Sequence, residues 1–91
     1  MSTPEMIQEE DARSKADAYL RERHFKYEKI IFQSSELAES DGRIIYRFRG
    51  LLIEKPVSLI DMLARNRKNT TYKFVIDVNS TNGRVLTYQL T

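Results

Sequence analysis

Apolar and polar positions change their spacing along this chain, and each change marks an element. Ala12, Ala16, Tyr19 and Leu20 recur three and four residues apart, as on one face of a helix. Thr3 followed by Pro4 reads as N-cap and first helical residue, because proline's missing N–H would have no intrahelical partner there. Glu5, Glu9, Glu10 and Asp11 gather early and Arg21 and Arg23 late, as the helix dipole favours, while Glu9/Arg13, Asp11/Lys15 and Asp17/Arg21 stand four apart. Ile7 falls off the stripe, so residues 1–8 are expected to fray.

From Phe25 the period becomes two. Phe25, Tyr27 and Ile31 predict a first strand ending near Phe32, and the polar segment Gln33 to Asp41 is expected to be a loop. Asp41-Gly42 then turns the chain into a second strand, Arg43 to Ile53, with Ile44, Tyr46 and Phe48 on one face and Arg43, Ile45, Arg47 and Arg49 on the other. Gly50 interrupts the alternation, which predicts a bulge or a close backbone approach. Pro56 stops this strand. Ser58 with Asp61 resembles a capping box and Leu59, Met62 and Leu63 have helical spacing, so a short second helix is expected before Asn69.

Two further strands, Tyr72 to Val78 and Arg84 to Leu90, constrain each other's register. A turn of Asn82-Gly83 alone would set Ile76 against Gln89 and Val78 against Thr87, apolar against polar. A three-residue loop, Thr81-Asn82-Gly83 with Gly83 left-handed, instead pairs Val78 with Leu86, Ile76 with Tyr88 and Phe74 with Leu90. The expected fold is therefore α+β and a single domain over residues 1–91: an N-terminal helix packed on a four-stranded antiparallel sheet, with a short second helix between strands two and three (order α-β-β-α-β-β). Its expected core is Ala16, Tyr19, Leu20, Ile44, Tyr46, Phe48, Leu59, Met62, Leu63, Phe74, Ile76, Val78, Leu86, Tyr88 and Leu90.

Tyr72, Ile76 and Asp77 in one strand, followed by Gly83, Val85 and Leu86 in the next, form a pattern that resembles the end of PepSY domains. An N-terminal helix with spaced alanines, Ala12 and Ala16, followed by a strand and a hairpin is also similar to the PepSY order. A helix on a bent antiparallel sheet looks more widely like the cystatin-like class. What these resemblances imply is a small binding module, since such a fold hosts no fixed chemistry.

Composition narrows the function classes. With 91 residues, 41% apolar and 31% charged, the chain suits one globular core and is too apolar for disorder. No stretch approaches the ~18 apolar residues of a membrane helix, and the acidic start MSTPEMIQEEDA is unlike a secretory signal, so a cytoplasmic protein without membrane contact is expected. The absence of cysteine excludes disulfides, thiolate nucleophiles and cysteine-bound zinc.

No catalytic or metal-binding motif is present, and no cofactor, metal or enzyme activity is expected. His24, the single histidine, stands at the end of the first helix, where a cation suits the dipole and the ring can cover the core edge. Glu36, Glu39 and Asp41 read as a solvated loop, and Asp77 as half of a surface cross-strand pair with Thr87. Arg43, Arg47 and Arg49 on the outer face, joined by Lys73 and also by Arg84, are the candidate site for an anion or a partner. Single-stranded nucleic acid would need aromatic stacking platforms on that face, yet Tyr46, Phe48, Phe74 and Tyr88 fall on the other. With a net charge of only +2, the leading expectation is a protein- or peptide-binding module, with nucleic acid as the alternative. A homodimer burying Ile45 and Val75 is a further option.

Overall fold

The computed structural model describes residues 6–24, 27–54 and 70–91. One helix, α1 (Glu9–Arg23), packs on a four-stranded antiparallel sheet of β1 (Tyr27–Ser40), β2 (Arg43–Glu54), β3 (Thr70–Asn79) and β4 (Val85–Leu90), in the order β1-β2-β3-β4. The expected second helix, with Leu59, Met62 and Leu63, lies outside the described residues, as do Thr3 and Pro4. Among the described residues no helix is long and apolar enough to cross a membrane.

The helix begins at Glu9, later than the Thr3-Pro4 pair predicts, after an extended Gln8 that makes no side-chain cap. Ile7 does not enter the helix. Its N–H donates to the Ser80 carbonyl at 2.7 Å, and its own carbonyl accepts from the Tyr46 hydroxyl at 2.8 Å. Ala12, Ala16 and Leu20 are fully buried, and the small alanines let α1 lie close to the sheet. Asp17 and Arg21 form the expected pair at 2.9 Å.

The segment Gln33 to Ser40 is strand, not loop, and it doubles the length of the first hairpin. Asp41 and Gly42 have φ of +52° and +76°, the two positive values of a type I′ turn, so Ser40 pairs directly with Arg43 and the ladder runs back through Leu37 and Tyr46 to Tyr27 and Glu54. Near Gln33 the register shifts by one residue, so the bulge predicted around Gly50 lies on β1, opposite it.

Tyr46, Phe48, Leu52, Phe74, Ile76 and Val78 face α1 and form the core, with Tyr19, Tyr88 and Leu90 packed against it. Leu52 and Ala12 join this core beyond the set expected. Ile45 is fully buried although it stands outside that cluster, between Ala38 and Asn79, and this removes it from any self-association surface.

Two expected core residues, Ile44 and Leu86, are exposed. For Leu86 the cause is the β3–β4 loop, which is wider than the three residues expected. Gly83, left-handed at φ +74°, donates to the Asn79 carbonyl, and Asn79 N–H donates to Arg84. Val85 therefore pairs with Val78, Leu86 becomes a bulge residue, and Ile76/Tyr88 and Phe74/Leu90 pair as expected.

The exposure of Ile44 follows from lengths. Fifteen helical residues reach about 22 Å, whereas the 12 residues of β2 reach about 40 Å, so α1 cannot cover the whole hairpin. The C-terminal end of α1 is tied to the Glu54 end of β2 through His24. The Arg43 end is consequently left bare on the helix side.

Candidate functional site

The outer-face arginines are largely committed to neighbouring acids. Arg47 donates through Nε and Nη2 to the two carboxylate oxygens of Asp77 at 2.9 and 3.1 Å, and the Thr87 hydroxyl donates to the same carboxylate at 2.9 Å. Asp77 is thus buried, not the surface residue expected from sequence. Burial pushes its carboxyl up, but the hydrogen bonds from Arg47 and Thr87, with the charges of Arg47 and Arg49, outweigh this and hold it below the ordinary carboxylate range. Arg49 bonds Glu36, which lies on β1 and not in a loop.

Lys73 is exposed and lies diagonal to Arg49, its backbone paired with Thr91. Arg43 is six residues from Arg49, about 20 Å along the strand. The four cations of the predicted site therefore do not form one patch. Arg43 and Lys73 have no ion pair among the described residues.

His24 has partners that no sequence motif revealed. Its Nδ1 lies 2.9 Å from Glu54 Oε1, and its Nε2 meets the Tyr88 hydroxyl. An ionised carboxylate only accepts, so Nδ1 carries the proton, and in the neutral ring Nε2 accepts from Tyr88. Burial, with the neighbouring Tyr19, pushes the Tyr88 phenol up to about 12. Among the described residues, neither the cleft described next nor the smaller grooves on the sheet and beside α1 are lined by His24, Glu54 or Tyr88. The three side chains clamp the end of α1 to β2 and β4.

Among the described residues a concavity lies at the opposite end of the sheet, where the β1–β2 and β3–β4 turns come together. It is a cleft of about 480 Å³ lined by Met6, Gly42, Arg43, Ile44 and the run Asn79 to Asn82. Met6 and Ile44 are 41% and 49% exposed, and Leu37, which pairs with Tyr46 on the same face as Ile44, is 56% exposed. These three side chains extend the core stripe beyond the reach of α1 and so leave an apolar surface open.

Two asparagines shape the rim. The Asn79 Oδ1 accepts from Thr81 N–H at 2.8 Å and the Asn82 Oδ1 from Arg84 N–H at 2.9 Å. The buried Ser80 hydroxyl donates to the Ile44 carbonyl at 2.6 Å and joins the two turns. No family model, curated protein or solved structure matches the chain, so the site is read from its own chemistry. Of the predicted site residues only Arg43 belongs to this cleft. Sequence reasoning placed Ile44 in the core and passed over Asn79 and Asn82, whose turn-forming character was the available signal.

Proposed function

We propose that this domain is a non-catalytic protein- or peptide-binding module whose contact surface is the helix-side sheet face at the β1–β2 end. The observation that carries the reading is the joint exposure of Met6, Leu37 and Ile44 around an open cleft, on a face whose other half is covered by α1. Grouped apolar side chains facing water favour a partner that covers them, at roughly 25 cal/mol per Å² of apolar surface removed from solvent. Among the described residues β1 is an edge strand of the sheet, and an extended peptide can add to such an edge. The PepSY-like hairpin pattern supports a binding role in the same way. Nucleic acid on the arginine face is the weaker reading, because Arg47 and Arg49 are already closed on Asp77 and Glu36.

A photo-cross-linking residue placed at Leu37, with Glu22 on α1 as control, tests this in cells. A discrete protein adduct identified by mass spectrometry at position 37 and absent at position 22 is the expected result. An adduct of twice the chain's mass would make the partner a second copy. Equal labelling at both positions, or adducts with nucleic acid only, would overturn the reading.

A further inference from the structure

We infer that the cleft between the two turns receives the free C-terminal carboxylate of a peptide whose last side chain is apolar. The inference rests on the peptide-binding reading above and specifies its ligand.

The direction of the hydrogen bonds decides the ligand's polarity. Asn79 and Asn82 have their side-chain oxygens bonded to the backbone N–H groups of Thr81 and Arg84, so the amide NH₂ groups are the ends left for a ligand. Neither NH₂ group, nor the Thr81 hydroxyl, has a partner among the described residues. Arg43 is the single charged residue of the lining, exposed and without an ion pair among the described residues. Among the described residues no carboxylate lines the cleft, since Asp41 precedes Gly42 in the turn but lies outside the lining. The lining therefore joins donors and one positive charge, with Arg43 and Asn79 from the outer face, to the apolar Met6 and Ile44 of the helix side across the end of the hairpin.

A ligand matching this arrangement carries a negative charge and acceptors next to apolar surface. The planar guanidinium of Arg43 suits a carboxylate, whose two oxygens can meet its parallel N–H groups. Asn79, Thr81 and Asn82 then still have donors to place. A peptide brings backbone carbonyls to them, whereas a simple alkyl carboxylate would set hydrocarbon against them and leave them unpaired. An inorganic or sugar phosphate would satisfy the donors and leave Met6 and Ile44 uncovered. The cleft volume of about 480 Å³ is that of an ordinary ligand pocket.

The test uses the full chain and hexapeptides randomised at their last four positions, presented once with free C-termini and once as C-terminal amides. Enrichment is expected in the free-acid set only, with an apolar final residue. The best free-acid peptide should shift the backbone amide signals of Ile44 and of residues 79–83. Arg43→Ala, at an exposed position and with an unchanged melting temperature, should weaken that peptide about tenfold or more, and Arg43→Lys should recover part of the loss. Equal binding of acid and amide, or affinity unmoved by Arg43→Ala, would overturn the carboxylate inference while leaving a peptide-binding domain. Octanoate binding as tightly as the best peptide would overturn the choice of a peptide. Enrichment in neither format would remove both the inference and the reading beneath it.

Discussion

The Phe74 ring lies across Gly50 on the neighbouring strand, so close that a methyl group added at position 50 would stand 2.7 Å from its Cζ. The same methyl would stand 1.9 Å from the Ile31 carbonyl oxygen on the other side. A ring can swing away, but a backbone carbonyl held in the ladder cannot. Phe32 packs edge-on to Phe74 at 5.3 Å, so the two aromatics flank the glycine and fill the space a side chain would otherwise occupy. Gly50→Ala should consequently destabilise the domain by about 3 kcal/mol, the upper end for overpacking, through forced displacement of β1. Urea denaturation measures this, and an unchanged midpoint would mean that the strands are not held this close.

Arg47 and Asp77 join β2 to β3 through a forked pair with one partner buried. Arg47→Met leaves Asp77 with Thr87 alone and should cost about 2 kcal/mol, less than the 3–5 of a fully buried pair because Arg47 keeps 30% of its side chain in water. The folded-state carboxyl titrates below its unfolded value of about 3.9, so the pair's contribution is present above about pH 4 and is lost as pH falls through the folded value. Asp77→Asn should be less stable at neutral pH and lose less of its stability on acidification. Urea midpoints at neutral and acid pH compare the two, and parallel pH profiles would contradict the assignment.

Tyr88 supplies the opposite, alkaline limb. Its phenol ionises near 12 when folded and near 10 when unfolded, so the stability it contributes is fully present below about pH 10 and declines as pH rises towards 12. Tyr88 should ionise late in a spectrophotometric titration of the folded protein, and Tyr88→Phe should remove that late step. If the variant keeps the late step, another tyrosine carries the shift.

The elements with strong alternation were readable from sequence: β2 from Tyr46 onwards, β3, and the α1 stripe with its buried alanines all have one apolar face. The second half of β1 was not, because Gln33 to Ser40 alternates only at Leu37 and its place in the sheet comes from the turn at Asp41-Gly42. A two-residue turn obliges the residue before it to pair with the residue after it, so the turn signal already contained the longer strand. Reading Ile44 as core required knowing how far a 15-residue helix reaches, a tertiary fact. The arginine face was placed correctly as a face but misjudged as free charge, since Glu36 was assigned to a loop and Asp77 to the surface. Arg43 alone carries over from that set to the cleft, and its asparagine neighbours enter only once their oxygens are seen bonded to the loop backbone.

The loop also sets the last expectation, at the start of β4. By size alone, Leu86→Ala should cost more than Val85→Ala, because leucine loses more carbon. The register reverses this. Val85 pairs with Val78 and packs against the core, while Leu86 is the unpaired bulge residue and is 40% exposed. Val85→Ala should therefore cost about 1 kcal/mol and Leu86→Ala less than about 0.5. Both variants keep β-hairpin length and charge, so their urea midpoints compare directly. If Leu86→Ala proves the costlier, then Leu86 faces Val78 after all, the loop is the tighter three-residue form, and the bonds from Thr81 N–H to Asn79 and from Arg84 N–H to Asn82 that shape the rim are not in place.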